Sequence, residues 1–197
     1  MRVLVTGNLG YIGPVLCGFL IRSGHQVVGL DIGLYTKYAN GPMPGVEQVV
    51  ADVRDSRAVV AALDGCDAVI HLAGMANDPL GDLDEEITKE VNFTASCRII
   101  DAAGGLPLIF YSSASVYGSN PRICDESAPV GPLTIYAKMK YEVERYLADR
   151  PKTLILRNGT VHGPSANMRG DLMINAMVAS AVTSGEIVVT TRRETRR

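Results

Sequence analysis

An apolar run, Arg2–Thr6, passes directly into Gly7-Asn8-Leu9-Gly10-Tyr11-Ile12-Gly13 and from there into a segment with helical apolar spacing, which leaves few folds open to the chain. In such a junction Gly7 permits a tight turn out of a strand, Gly10 lets backbone approach a pyrophosphate, and Gly13 lets the helix pack close to the sheet. The helix start adds unpaired N–H groups and the positive end of the helix dipole, both suited to phosphates. A glycine triad alone also fits an ordinary strand-turn-helix. Its position after a strand and before a helix favours a dinucleotide-binding loop, with residues 7 to 13 as cofactor-binding positions.

The remainder of the chain continues the alternation. Short apolar runs at Gln26–Leu30, Gln48–Val50, Ala68–Leu72, Leu106–Ser112 and Thr153–Arg157 are separated by helical patterns near 11–23, 55–64, 84–103, 135–149 and 170–184. The runs lack polar alternation, as expected of strands covered on both faces in a parallel sheet. The expected architecture is therefore α/β, a doubly wound parallel sheet of Rossmann type. Turn residues mark loops at 33–45, 74–82 and 118–134. Residues 1–189 read as one domain, followed by an atypical basic tail at 190–197.

Composition removes several classes of function. A net charge of −2 leaves no basic face for nucleic acid. Four arginines among the last six residues are the only basic cluster and read as a solvated end. Cys17, Cys66, Cys97 and Cys124 have no metal-ligand spacing and fit reduced thiols of a cytoplasmic protein. The N-terminal apolar run is too short for a signal peptide, and no run reaches the roughly 18 apolar residues of a membrane helix.

Four further sites along the chain carry chemistry. Asp31 ends the second strand, eighteen residues after Gly13. A carboxylate there accepts hydrogen bonds from ribose hydroxyls and repels a 2′-phosphate, which favours NAD over NADP. Asp52-Val53 follows the third strand, where Asp52 suits an adenine amino group and Val53 the ring face; Asp52 equally suits a cap for the helix near Asp55. The run ending in Ser112-Ser113 places hydroxyls at the carboxyl edge of the sheet, where ligands bind in open α/β folds. Tyr136 and Lys140 lie four apart on a helix and share a face. A lysine cation favours tyrosinate, drawing a phenol of ordinary pKa about 10 toward working pH. Such a phenolate can take a hydroxyl proton while hydride leaves the same carbon.

Taken together, TGNLGYIG, Asp31, Asp52-Val53, HLAGMANDP (71–79), Val91-Asn92, SSASVYG, YAKMK and LRNGTVHGPS (156–165) make the chain resemble the extended short-chain dehydrogenase/reductases, the NAD-dependent nucleotide-sugar epimerase/dehydratase group. The resemblance reaches to about residue 189. It implies Ser113 as the hydroxyl that binds substrate oxygen, Tyr136 as acid/base and Lys140 as the ribose-binding partner. It places Leu72, Ala73 and Gly74 beside the pyrophosphate and nicotinamide, with Ala73 and Gly74 offering backbone. It also gives Asn92 the task of tying helix to sheet, while His71 reads as a satisfied strand-end histidine.

The departures narrow the expected chemistry. Ala114 and Ser115 stand where 4,6-dehydratases of the group carry Asp-Glu, so dehydration is disfavoured and C4 epimerisation or simple alcohol/ketone redox remains. Thr160 replaces an Asn that touches the substrate diphosphate, and His162 replaces a Tyr. The group's C-terminal substrate lobe has no counterpart after Val189. The expectations are then a nucleotide-sugar 4-epimerase, a non-catalytic NAD-binding module or truncated fragment, or a nucleotide-sugar ketoreductase. The expected partners are a nucleotide-sugar and a second copy in a homodimer, without nucleic acid or membrane. Met168, Leu172, Met173, Ile174, Met177 and Val178 are the apolar positions expected to lie open.

Overall fold

The computed structural model describes residues 1–34, 43–75 and 84–187. Strands β1 (Arg2–Thr6), β2 (Gln26–Asp31), β3 (Val46–Val50), β4 (Ala68–His71), β5 (Leu108–Ser113) and β6 (Thr153–Asn158) form one sheet of order β3-β2-β1-β4-β5-β6. Every pairing is parallel. This is the doubly wound order, and the connections reverse direction between β1 and β4. That reversal opens a crevice at the carboxyl ends of both strands.

Among the described residues the helices are α1 (Gly13–Arg22), α2 (Ser56–Leu63), α3 (Glu85–Lys89), α4 (Ala95–Ala102), α5 (Ile135–Tyr146) and α6 (Met173–Ser184). A π-helical turn, Glu90–Thr94, joins α3 to α4, and a 3₁₀ turn, Ala114–Tyr117, follows β5. Pro14 occupies the first turn of α1, where a missing N–H costs nothing. Asp55 accepts from the N–H groups of Arg57 and Ala58 and caps α2, so the cap considered for Asp52 belongs to Asp55. Thr134 caps α5 through Ala137 N, and Gly185 in the left-handed region (φ 73°) ends α6.

Helices α2, α4 and α5 cover one face of the sheet around Leu4, Leu30, Val69, Ile99, Leu108 and Phe110. On the other face α1 packs over Val3, Val5, Val27 and Ile70. Full burial of side chains this size stabilises the fold by roughly 1.5–3 kcal/mol each. The expected elements are present with shifted ends. The helical pattern at 84–103 is interrupted by the π turn. Strand pairing of β5 begins at Leu108, after Pro107, which has no N–H to donate. Helix α6 begins at Met173, after a turn held by the Arg169–Asp171 ion pair. Of the six positions expected to lie open, Met168, Met173 and Val178 are exposed, while Leu172, Ile174 and Met177 are half-buried; Val182 on α6 is exposed as well.

All four cysteines are free thiols. No described helix is long and apolar enough to cross a membrane. The tail at 190–197, the end of the expected domain at 188–189, most of loops 33–45 and 74–82, and positions 76–79 of the HLAGMANDP stretch lie outside the described residues.

Candidate active site

The glycine-rich loop is built as its residue types require. Gly7 has φ +72°, and a Cβ there would sit 2.7 Å from Ala73 N, so the turn rests directly on the backbone after β4. A Cβ at Gly13 would fall 2.2 Å from Asn8 O. At Gly10 a Cβ would meet only Gly7 O, at 3.2 Å, which leaves that side of the loop open. Ile12, at the start of α1, supplies no side-chain cap, and the first turn holds no acidic residue. Free N–H groups, an uncompensated dipole end and an open backbone face fit a diphosphate.

Asp31 closes the loop on its β2 side. Its Oδ2 accepts from Leu9 N at 3.0 Å and its Oδ1 from Gly33 N at 2.8 Å. Each carboxylate oxygen keeps acceptor capacity beyond that one bond, as ribose hydroxyls need. Asn8 does otherwise. Its side chain is buried, exchanges hydrogen bonds with Gln48, and lies over Gly29, where a Cβ would come within 2.3 Å of Asn8 Nδ2. Asn8 thus belongs to the loop through its backbone, while its amide locks the loop onto β2 and β3. Asp52 is engaged by the Arg54 side chain (2.6 Å) and by Arg54 N, which hold its carboxyl below the usual carboxylate range. Val53 packs against the core beside it.

The end of β4 carries a buried relay. His71 Nδ1 is 2.6 Å from Thr6 Oγ1 and its Nε2 is 2.9 Å from Ser96 Oγ. Because Ser96 donates to Asn92 O, His71 must donate to Ser96 through Nε2 and accept from Thr6 through Nδ1. Burial pushes its pKa down to about 3, with the Lys140 cation adding to the effect. His71 is therefore the satisfied strand-end histidine anticipated from its position. Asn92, on the π turn, accepts from Met75 N at 2.7 Å and donates to Met75 O at 3.1 Å. It ties the helix to the segment that leaves β4, directly beyond Leu72, Ala73 and Gly74. A Cβ on Gly74 would lie 3.0 Å from Asn92 Oδ1 and 3.7 Å from Lys140 Nζ, so only glycine lets these three groups meet without displacement.

Helix α5 brings Tyr136 and Lys140 to the same edge. Lys140 is 4% exposed, and its Nζ donates to Tyr111 O at 2.8 Å. The ammonium stands 4.8 Å from the Phe110 ring centre and 5.9 Å from that of Tyr136. Burial pushes the Lys140 pKa down to about 8, against the opposing charge of Glu144. Ser113 ends β5 and opens the 3₁₀ turn, which packs against α5. Its Oγ accepts from Ser115 Oγ at 2.7 Å and Ser115 N at 3.2 Å, leaving its own proton for another acceptor.

Beneath these groups lies a network not anticipated from the sequence. Glu144, 6% exposed, accepts from Ser112 Oγ at 2.5 Å and from Arg157 Nη2 at 2.7 Å and Nε at 3.0 Å. Arg157 also donates to Tyr117 Oη at 3.0 Å, and its hydrogen bond to Glu144 raises its pKa further. One buried carboxylate thereby joins β5, α5, β6 and the 3₁₀ turn. Glu144 falls four residues after Lys140 and eight after Tyr136, a spacing that marks it as belonging to the same helix face. A cleft of about 520 Å³ lies apart from these groups, lined by Tyr11, Val15, Phe19, Tyr111, Val161 and Pro164 among others. Its lining is mainly apolar and includes neither Ser113 nor Tyr136.

A doubly wound sheet with an open, uncapped helix start at its carboxyl edge is the scaffold of a dinucleotide-binding domain. The chain belongs to the NAD dependent epimerase/dehydratase family, whose model matches residues 3–197, and the cofactor of that family is NAD. It is 35% identical over 167 residues to UDP-glucose 4-epimerase of Yersinia pestis, covering 76% of this chain and 48% of that protein. It is 34% identical over 139 residues to a shorter UDP-glucose 4-epimerase sequence of Klebsiella pneumoniae, covering 62% of this chain and 96% of that one. Among solved structures it matches the complex of Thermus thermophilus UDP-glucose 4-epimerase with NAD, with a TM-score of 0.81 and 29% identity over 92% of this chain and 61% of that chain. The chain thus spans about half the length of the Yersinia relative.

Proposed function

We propose that this chain carries the cofactor and proton-transfer groups of a nucleotide-sugar 4-epimerase that acts by transient oxidation at C4. The observation that carries this reading is the buried Lys140 beside Tyr136 at the carboxyl edge of the sheet. Bound NAD supplies the reversible two-electron acceptor. Tyr136 takes the proton of the C4 hydroxyl, and Ser113, whose own proton is uncommitted, donates to that oxygen. Lys140 uses one of its three N–H donors on Tyr111 O, which leaves two for the ribose and the Tyr136 oxygen. Gly7 through Gly13, Asp31, Asp52, Val53 and Leu72 through Gly74 frame the cofactor. Ala114 and Ser115 offer no carboxylic acid for eliminating water, which favours epimerisation over dehydration.

The relatives support the choice of substrate class, since several are UDP-glucose 4-epimerases by name. A second reading, an NAD-binding module without turnover, is favoured by the cleft, whose lining holds neither Ser113 nor Tyr136 and so does not orient a substrate on them. Orienting a substrate is a large part of the rate, with effective molarities of about 10⁵–10⁸ M. Mixing the protein with NAD and UDP-sugars separates the readings. An epimerase interconverts UDP-glucose and UDP-galactose without net change in NADH, a ketoreductase consumes NADH, and a module binds NAD and does neither. Sedimentation of the same sample tests the homodimer, which the open Met173, Val178 and Val182 side chains of α6 favour.

A further inference from the structure

The segment after β6 reaches back across the sheet and grips the glycine-rich loop. Ser165 Oγ donates to Tyr11 O at 2.6 Å, and Asn167 Nδ2 donates to Leu9 O. Tyr11 Oη donates to Gly163 O at 2.5 Å and accepts from Asn175 Nδ2 at 2.9 Å. Asn175 is 6% exposed and uses the rest of its amide on Arg169 O (2.9 Å) and Gly163 N (3.1 Å). A buried polar network satisfied in this way specifies one arrangement of the parts that it joins. Asn167 differs, because its Oδ1 is buried without a hydrogen-bond partner. An unpaired buried acceptor is destabilising, so the bond to Leu9 O is not explained by the stability of that side chain.

The consequence lies in the peptide planes. Among the described residues there is no cis peptide, and in a trans peptide the carbonyl and the following N–H point in opposite directions. By holding Tyr11 O, Ser165 fixes that peptide plane and turns Ile12 N–H away from itself. The neighbouring polar groups are already committed: Leu9 N to Asp31, Gly10 N to Gly7 O, and Leu9 O to Asn167. The N–H groups of Tyr11 and Ile12, by contrast, have no protein acceptor among the described residues.

We propose that Ser165, with Asn167 and Asn175, is a positioning residue for the cofactor diphosphate, acting through the backbone of residues 9–12. The proposal rests on the reading of that loop as the NAD site. It makes the segment after β6 part of the phosphate site without touching phosphate. The grip also joins the cofactor loop to the stretch bearing Thr160 and His162.

The test is calorimetric titration of the unmodified chain, Ser165→Ala and Ser165→Thr with NAD⁺, ADP and adenosine. Losing one neutral hydrogen bond that orients the loop should weaken NAD⁺ and ADP alike by about 2- to 10-fold. Adenosine, which lacks the diphosphate, should bind all three proteins equally, and Ser165→Thr, which keeps the hydroxyl, should restore NAD⁺ affinity. If Ser165→Ala binds NAD⁺ as the unmodified chain does, or loses adenosine and ADP by the same factor, the positioning role is overturned while the NAD site stands. If the unmodified chain binds no NAD⁺, the reading of the loop and the proposal both fail.

Discussion

The Asp31 carboxylate accepts the backbone N–H of Leu9 at 3.0 Å, so the residue that ends β2 also holds the glycine-rich loop in place. On the proposed reading Asp31 has two tasks, shaping the loop and meeting the ribose. Asp31→Asn keeps one oxygen acceptor for the loop and loses the negative charge. A hydrogen bond to a charged group is worth roughly 1.5–3 kcal/mol. The expected result is weaker NAD⁺ binding and a smaller preference over NADP⁺, measured by fluorescence titration. Equal affinity of the unmodified protein for both cofactors would remove the basis for the assignment.

Lys140 predicts a pH dependence of cofactor binding. Its pKa is pushed down to about 8, so the ammonium is present below that pH and is lost as pH rises through it. Glu144 on α5 is the titratable group whose charge acts on it, while the neutral His71 on β4 and Tyr136 on its own helix stand near. NAD⁺ affinity should be level from pH 6 to 7 and decline above about 8, and Lys140→Met should bind weakly with no such decline. Tyr136→Phe should retain binding and lose about 10²–10⁴-fold in any turnover. Full turnover by Tyr136→Phe would dismiss it as the proton carrier.

The Glu144–Arg157 pair should be costly to break from one side. Glu144 is almost fully buried and Arg157 mostly so, and removing one partner of such a pair costs about 3–5 kcal/mol. Glu144→Ala should lose stability at the lower end of that range in urea denaturation, because Arg157 retains some solvent contact. The double variant Glu144→Leu/Arg157→Leu should recover much of the loss. A double variant no more stable than Glu144→Ala would show that Ser112 and Tyr117, not the ion pair, carry the network.

His71 should contribute to acid sensitivity. Its folded pKa of about 3 lies below the ordinary value of 6.5, so the unfolded chain binds the proton first. The stability it supplies is complete above pH 6.5 and is lost as pH falls toward 3. Between pH 7 and 5 the loss from this group is about 2 kcal/mol. His71→Gln should be less stable at pH 7 yet lose less on acidification. If both proteins lose the same amount, protonation of His71 is not what limits acid stability.

Much of this site is readable before any folding is considered. Runs such as Arg2–Thr6 and Leu106–Ser112 declare strands because apolar spacing is a short-range property. Gly7 and Gly13 declare a turn because only glycine tolerates the backbone angle of the first and the close contact at the second, and Gly10 keeps the face between them open. Tyr136 and Lys140 share a face because a helix repeats every 3.6 residues. In each case the informative residues lie within one element or one junction.

The partners of those residues follow another rule. Ser112 meets Glu144, Thr6 meets His71, and Tyr11 meets Asn175 across 164 residues of chain. Nothing in the local pattern assigns these pairs, because strand order and register decide which side chains share a layer. Asp52 shows the same limit: spacing allowed it to cap α2, yet packing placed Asp55 there and left Asp52 to Arg54. The residue types thus set which chemistry was available, through backbone freedom, charge and hydroxyl groups. The fold decided which of those groups are buried, which are paired, and which N–H groups stay open for a ligand, since burial and convergence exist only once distant elements have packed together.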